Sequence, residues 1–385
     1  MLKTVYQAEI KYLQIMDEEG RLNEELAADV RDVLTDERLV EMYRDMIVAR
    51  ELDDAAFKLQ RSGRMGTFPQ NKGQEAVAFG AAAALRKGHD HILPSYRENA
   101  ALFQHGLPMH YVLLHWMGDE RGNQIDPNQY HVSPICVEIG AQCLHAAGWA
   151  WAFKLQNKKN GTDKVAMVFF GDGATSEGDF HEGMNFASVL KAPAVFVCQN
   201  NGWAISVPTT KQSASETFAQ KALAYGMPTI QVDGNDIFAM VKACRDMVQN
   251  AREGKGPGFV EALTYRLADH TTADDASRYR PPEEVERARR QDPLVRIGKY
   301  LTAKGLWDES KQAEAAERAK KIVREVIPAA TSIEKPTPAD MFDHAYAELP
   351  ADLQIQRDTM CTATLVQQPA QERLKDPTED LVGSR

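Results

Sequence analysis

Hydrophobic and polar positions change their period three times along the chain. From Thr35 to Gly63, "TDERLVEMYRDMIVARELDDAAFKLQRSG" sets Leu39, Met42, Met46, Ile47, Ala49 and Leu52 close to helical spacing. Thr35 is the cap and Gly63 the stop of the helix this predicts. "GQEAVAFGAAAALRKG" (73–88) and "GAQCLHAAGWAWAFKLQ" (140–156) predict two helices whose small residues let neighbours pack closely. Between 164 and 264 the runs become short, β-branched or aromatic: "KVAMVFF" (164–170), "AVFVCQN" (194–200), "TIQVDG" (229–234) and "GFVEALTYR" (258–266). Apolar on both faces and separated by helical stretches, they read as parallel strands buried under helices. The expected fold is therefore α/β, a doubly wound and mainly parallel sheet with helices on both faces and helical N- and C-terminal extensions. After Pro281–Pro282 the pattern is helical again, with Asp292 capping, Pro293 in the first turn and Gly305 beyond the last. "IEKPTPAD" reads as a linker into one more short helix. Residues 1–35 are polar and acidic and read as an extension, 36–350 as the domain, and 351–385 as a polar tail, mobile or draped over a partner.

Charge and composition narrow the partners. Lys+Arg 45 against Asp+Glu 55 leaves a net charge of −10, which disfavours nucleic acid and anionic membranes. No apolar run approaches the ~20 residues that cross a bilayer. The N-terminus lacks both a signal-peptide core and an arginine-rich transit pattern, so a soluble, cytoplasmic protein is expected. Five cysteines, odd in number and without CxxC spacing, read as reduced thiols.

The chemistry concentrates in "GDGATSEGDFHEGMNFASVLKAPAVFVCQNNGWAIS", Gly171 to Ser206. Asp172 follows one expected strand directly, where open α/β sheets bind their ligands. Gly171 and Gly173 permit a sharp turn and close approach of backbone to a ligand, and the helix that follows offers an N-terminus favourable to phosphate. The next strand delivers Asn200 and Asn201 at its own carboxyl end. A carboxylate and a carboxamide oxygen on adjoining strand ends suit Mg²⁺, which takes few protein ligands besides phosphate oxygens and water. The spacing describes a clamp for magnesium and a diphosphate.

Strand, GDG, helix, strand, NN in this order closely resembles the thiamine-diphosphate motif. The resemblance extends from about residue 36 to 350, through "GQEA", "ILPSYRENAALFQHGLP", "VDGNDIFA", "TYRLADHTTADDASRYR" and "DPLVRIGKYLTAKGLW". The chain is similar to the alpha subunits of the decarboxylating component of 2-oxo acid dehydrogenase complexes. "HGLP" and "GNQ" tilt it towards the bacterial, pyruvate-specific branch over the branched-chain 2-oxo acid and acetoin branches, which share the other motifs.

The resemblance implies roles residue by residue. Asp172 and Asn201 would ligate Mg²⁺ through their side chains and Trp203 through its main-chain carbonyl, where the family usually has Tyr or Phe. Tyr96, Arg97 and Arg266 would hold the diphosphate of thiamine diphosphate beside Gly171, Gly173 and Ala174, with Ser133 and Ile135 touching thiazolium and diphosphate. His270 matches the active-site histidine on a loop that orders over the cofactor. Two positions depart from the pattern: Thr271 stands where mitochondrial relatives carry a phosphorylated Ser, and Arg121 stands where a second histidine can precede "GNQ", with His131 nearby. The pyrimidine pocket and the carboxylate base that the chemistry needs are absent from the single α/β core, and in this family a beta subunit supplies them. The implied assembly is α₂β₂, passing its acyl group to a lipoyl-bearing transacylase.

Readings from two other classes fit the residues less well. A nicotinamide-dependent dehydrogenase needs GxGxxG, which "GDGATSEG" does not provide. A non-catalytic scaffold subunit would be favoured by loss of Asp172 or Asn201, and both are present.

Overall fold

The computed structural model describes residues 1–161, 163–334, 336–343 and 345–371. The chain divides into two compact units, 1–331 and 332–385. A six-stranded sheet organises the first: β1 (Tyr12–Leu13), β2 (His91–Leu93), β3 (Ala166–Gly171), β4 (Ala194–Asn200), β5 (Thr229–Asp233) and β6 (Gly258–Leu263). Their spatial order is β1-β5-β6-β4-β3-β2, and every adjacent pair is parallel. The four strands legible in the sequence form within a residue or two of their expected bounds, except that the last ends at Leu263, so Thr264 to Arg266 belong to the loop beyond. β1 and β2 are too short to announce themselves by pattern.

Helices cover both faces, as the doubly wound expectation requires. They include α1 (Asp36–Arg61), α2 (Glu75–Ala83), α3 (Ala141–Asn160), α4 (Gly178–Val189), α5 (Ile237–Arg252), α6 (Pro293–Ala303) and α7 (Glu309–Thr331). Strand alternation sends Ala166, Val168 and Phe170 of β3, with Phe196 and Cys198 of β4, against Ala146, Ala150, Phe180 and Met184 of α3 and α4. Phe170 centres an aromatic cluster, 5.4 Å from Phe180 and 6.0 Å from Phe259. Burying each such ring contributes roughly 1.5–3 kcal/mol. Gly183 lets α4 lie directly on α3, for an added Cβ would stand 2.6 Å from the Cys143 carbonyl carbon. α2 and α5 pack together on the opposite face, again through a glycine, Gly80, whose added Cβ would lie 2.5 Å from that of Met240.

Caps behave as their chemistry predicts. The Thr35 hydroxyl accepts from the Arg38 N–H at 3.2 Å to open α1, and Asp292 accepts from the Leu294 N–H at 2.9 Å to open α6. The first 35 residues are more than an extension. β1 adds a strand beside β5, and Ile15, Met16, Val30 and Leu34 are buried. What the polar composition concealed is that this edge is held by backbone: the Asp236 carboxylate accepts from the Ile15 and Met16 N–H groups at 2.6 and 2.7 Å.

The second unit holds a short helix, Asp340–Asp343, and the helix Ala351–Gln371, with Arg357 paired to Asp343 at 3.2 Å. The polar tail, expected to be mobile or draped over a partner, begins as this helix, and its remainder lies outside the described residues. Among the described residues no helix is long and apolar enough to cross a membrane.

Candidate active site

Register places the two halves of the motif side by side. Gly171 of β3 pairs with Gln199 of β4, so Asp172 and the Asn200–Asn201 pair leave neighbouring strands at the same level. Both Asp172 and Asn201 line one cleft of about 510 Å³ at the carboxyl end of the sheet. Tyr96, Arg97, Gly171, Gly173, Ala174, Trp203, Arg266 and His270 line it too, so ten of the expected site residues converge. Ser133 and Ile135 do not reach the lining. Their segment pairs with β2 through the Ser133 N–H to the Ile92 carbonyl, and the Ser133 hydroxyl sits 2.9 Å from Nε2 of His91. The same loop enters the cleft a few residues later, through Val137 and Ile139.

Asp172 is 1 % exposed, and its Oδ2 has no hydrogen-bond partner. Burial pushes its carboxyl up to about 6, partly offset by main-chain N–H groups of Asp172 and Asn201. The turn carrying it is braced from behind: the Thr175 hydroxyl and the Gln212 amide both donate to the Asp172 carbonyl at 2.8 Å. Asn201 donates to Gln74 at 3.1 Å while its Oδ1 accepts from the Trp203 N–H at 3.1 Å, which folds the loop back. A buried carboxylate with one unpartnered oxygen beside a carboxamide oxygen is a donor set that fits a hard divalent cation completed by phosphate and water. Gly173 adds room: its Cβ, were there one, would stand 3.1 Å from that of Ala204, in the short antiparallel hairpin that pairs Trp203–Ala204 with Val207–Pro208.

Two buried arginines face this acidic corner. Arg97 is 5 % and Arg266 1 % exposed. Their partners are neutral. Arg97 donates to the carbonyls of Gln70 and His270 at 2.7 and 2.8 Å, and Arg266 to the Ile205 carbonyl at 3.0 Å and the Tyr279 phenol at 3.1 Å. Burial, then the neighbouring Arg97, pulls the Arg266 guanidinium down to about 10. Both arginines also reach Nδ1 of His270, and burial with those two charges holds this imidazole down to about 3. Cations buried without a carboxylate partner are costly unless an anion joins them, and a diphosphate fits that need.

The loop that carries His270 is pinned by hydrogen bonds: the His270 N–H donates to Asp274 at 3.0 Å, and Phe68 and Thr272 are joined through main-chain and side-chain bonds. Arg121 forks onto Asp119 at 2.9 and 2.6 Å, and neither it nor His131 lines the cleft. Sequence reasoning missed Gln74, Glu98 and Gln199, which also line it. All three lie inside or beside motifs already singled out, but only their contacts show what they do. Glu98 is 1 % exposed, and burial raises its carboxyl.

Comparison with known proteins agrees with this geometry. The profile of the family described as "Dehydrogenase E1 component" matches residues 43–339. The chain is 44 % identical over 349 residues to the pyruvate dehydrogenase E1 component subunit alpha of Staphylococcus epidermidis, covering 90 % of this chain and 92 % of that one. Identity and coverage are the same for the protein of that name in Staphylococcus aureus. With its parallel sheet, its converging cleft and this match over most of its length, the chain belongs to the dehydrogenase E1 component family.

Proposed function

We propose that the chain is the alpha subunit of a pyruvate dehydrogenase. It would carry out the oxidative decarboxylation of pyruvate and the reductive acetylation of a lipoyl group on the transacylase component, with thiamine diphosphate and Mg²⁺ and in an α₂β₂ assembly with a beta subunit. The observation that carries this reading is the pairing, across one cleft, of a buried carboxylate with one oxygen, Oδ2 of Asp172, left without a partner and two buried arginines whose hydrogen-bond partners are neutral.

When bound, thiamine diphosphate supplies an electron sink for the pair left behind as CO₂ departs. This chain's residues account for the holding. Arg97 and Arg266 would neutralise the diphosphate, with Tyr96 alongside. Asp172, Asn201 and the Trp203 carbonyl would take Mg²⁺. The main-chain turn at Gly171 to Ala174 gives backbone close access. His270 accepts two guanidinium bonds at Nδ1, so its ring proton resides on Nε2, which makes that nitrogen the donor available to the acyl-transfer step. The carboxylate that activates the pyrimidine end would come from the beta subunit. The Staphylococcus proteins named as E1 component subunit alpha support a beta partner and a cytoplasmic setting.

The test is steady-state turnover of the chain co-expressed with its beta subunit, with pyruvate, 3-methyl-2-oxobutanoate and acetoin as competing substrates. Preference for pyruvate, dependent on both Mg²⁺ and thiamine diphosphate, is expected. Preference for the branched acid or acetoin, or cofactor binding indifferent to metal, overturns the assignment.

A further inference from the structure

We infer that Glu98 is a positioning residue that couples the phosphate-gripping arm of the site to its metal-gripping arm. The inference rests on the proposed binding of magnesium and a diphosphate. Two separate segments form the clamp. One is the turn Ser95 to Arg97 beyond β2, and the other is the end of β4 running into Asn200 and Asn201. The Glu98 carboxylate joins them. Its Oε2 reaches back to accept from the Ser95 N–H at 2.8 Å and the Arg97 N–H at 3.3 Å, which closes the turn that presents Arg97. Its Oε1 accepts from the Gln199 side-chain amide, two residues before Asn201.

Both partners are buried, Glu98 at 1 % and Gln199 at 2 % exposure, so no water substitutes readily for the bond between them. The Glu98 main-chain carbonyl meanwhile takes the Ala101 and Leu102 N–H groups, which anchors this carboxylate to a helix of its own. The turn that carries Arg97 and the strand end that carries Asn201 are thus linked through this acid and its amide. Gln199 keeps its own Oε1 without a partner. A Gln at position 98 could therefore present its carbonyl oxygen to the two N–H groups and its amide to a flipped Gln199. An Ala at 98 could do neither.

The test uses the assembled alpha–beta complex stripped of cofactor. Thiamine diphosphate binding with saturating Mg²⁺ is measured by calorimetry for wild type, Glu98→Ala, Glu98→Gln and Gln199→Ala, and turnover at saturating cofactor is measured in parallel. Gln199→Ala, which loses one hydrogen bond to a charged group, is expected to raise the dissociation constant about tenfold, and Glu98→Ala, which loses all three bonds of the carboxylate, by at least as much. Turnover at saturation should stay within about twofold and Glu98→Gln within about threefold of wild type, because shape and bonding survive the flip. Should Glu98→Ala not assemble, Gln199→Ala, which spares the Glu98 backbone bonds, decides the matter. Unchanged affinity in the Ala variants, or a loss confined to turnover, overturns the coupling. Failure of wild type itself to bind thiamine diphosphate with Mg²⁺ instead overturns the functional reading beneath it.

Discussion

Arg97 and Arg266 converge on a single atom, Nδ1 of His270, at 3.3 and 3.1 Å. Two cations sharing one neutral acceptor mark a site made to receive negative charge. They also keep the imidazole from ionising, because a third positive charge there would be buried among them.

That suppression should show in stability against pH. The folded-state value of His270, about 3, lies below the ~6.5 of an unfolded histidine. Between these values the unfolded chain binds the proton and the fold does not, so the fold loses stability as pH falls from 6.5 towards 3 and is unaffected above 6.5. His91, also near 3, adds a slope of the same sign. Thermal melts of cofactor-free protein from pH 4 to 8 should show a shallower acid limb in His270→Gln than in wild type, with the residual slope left to other groups. Equal slopes would show that the imidazole is protonated in the fold.

Asp172 titrates in the opposite sense. Its folded value near 6 exceeds the ordinary 3.8, so the proton is held more tightly in the fold. Its contribution to stability is present in full below about pH 4 and is lost as pH rises through 6. Asp172→Asn should therefore stabilise the cofactor-free protein at pH 7 by on the order of 1–3 kcal/mol and leave it unchanged near pH 4. The same substitution should weaken Mg²⁺-dependent cofactor binding by at least about a hundredfold. A variant that binds normally at both pH values would remove Asp172 from the metal site.

Arginine removal separates charge from metal. Arg266→Gln is expected to weaken thiamine diphosphate binding by roughly ten- to a hundredfold, since hydrogen bonds to charged groups are worth about 1.5–3 kcal/mol. Its dependence on Mg²⁺ concentration should remain. Calorimetric titrations at several metal concentrations check this, and parallel loss of the metal dependence would contradict it.

The α3–α4 contact is decided by one missing methyl. Gly183→Ala would set a Cβ 2.6 Å from the carbonyl carbon of Cys143 and 2.7 Å from its oxygen, both main-chain atoms that cannot rotate away. A loss of about 1–3 kcal/mol is expected from the forced separation of the helices. Gly148→Ala on α3, whose Cβ meets nothing within 4 Å, should be neutral or mildly stabilising. Chemical denaturation of the two variants gives the comparison, and similar midpoints would mean the helices are not in such close contact.

Removing residues 1–22 should destabilise the sheet edge. It strips β1 from β5 and takes two N–H donors from the buried Asp236 carboxylate. A loss of roughly 2–4 kcal/mol follows from those two bonds alone, read as a lowered denaturation midpoint. A midpoint equal to that of the full chain would make this segment the dispensable extension its composition resembles.

Much of this was legible in the chain itself. Runs such as "VAMVFF" and "AVFVC", apolar at every position, read as strands buried on both faces, and a glycine-flanked Asp at the end of one belongs at the ligand-binding edge of the sheet. Local chemistry determined those strands, the Thr35 and Asp292 caps, and the residues at the strand tips. Tertiary structure decided what depends on distant segments meeting. A two-residue strand at Tyr12 has no period to read, and it exists because Asp236, more than two hundred residues away, accepts its neighbours' N–H groups. Ser133 turned to His91 in place of the cleft because its strand-like pairing with β2 fixed which way its side chain faced. His270 is neutral, and Glu98 bridges two arms of the site, for the same reason. Burial and charge at a point are sums over everything packed around it, and no stretch of sequence contains its own surroundings.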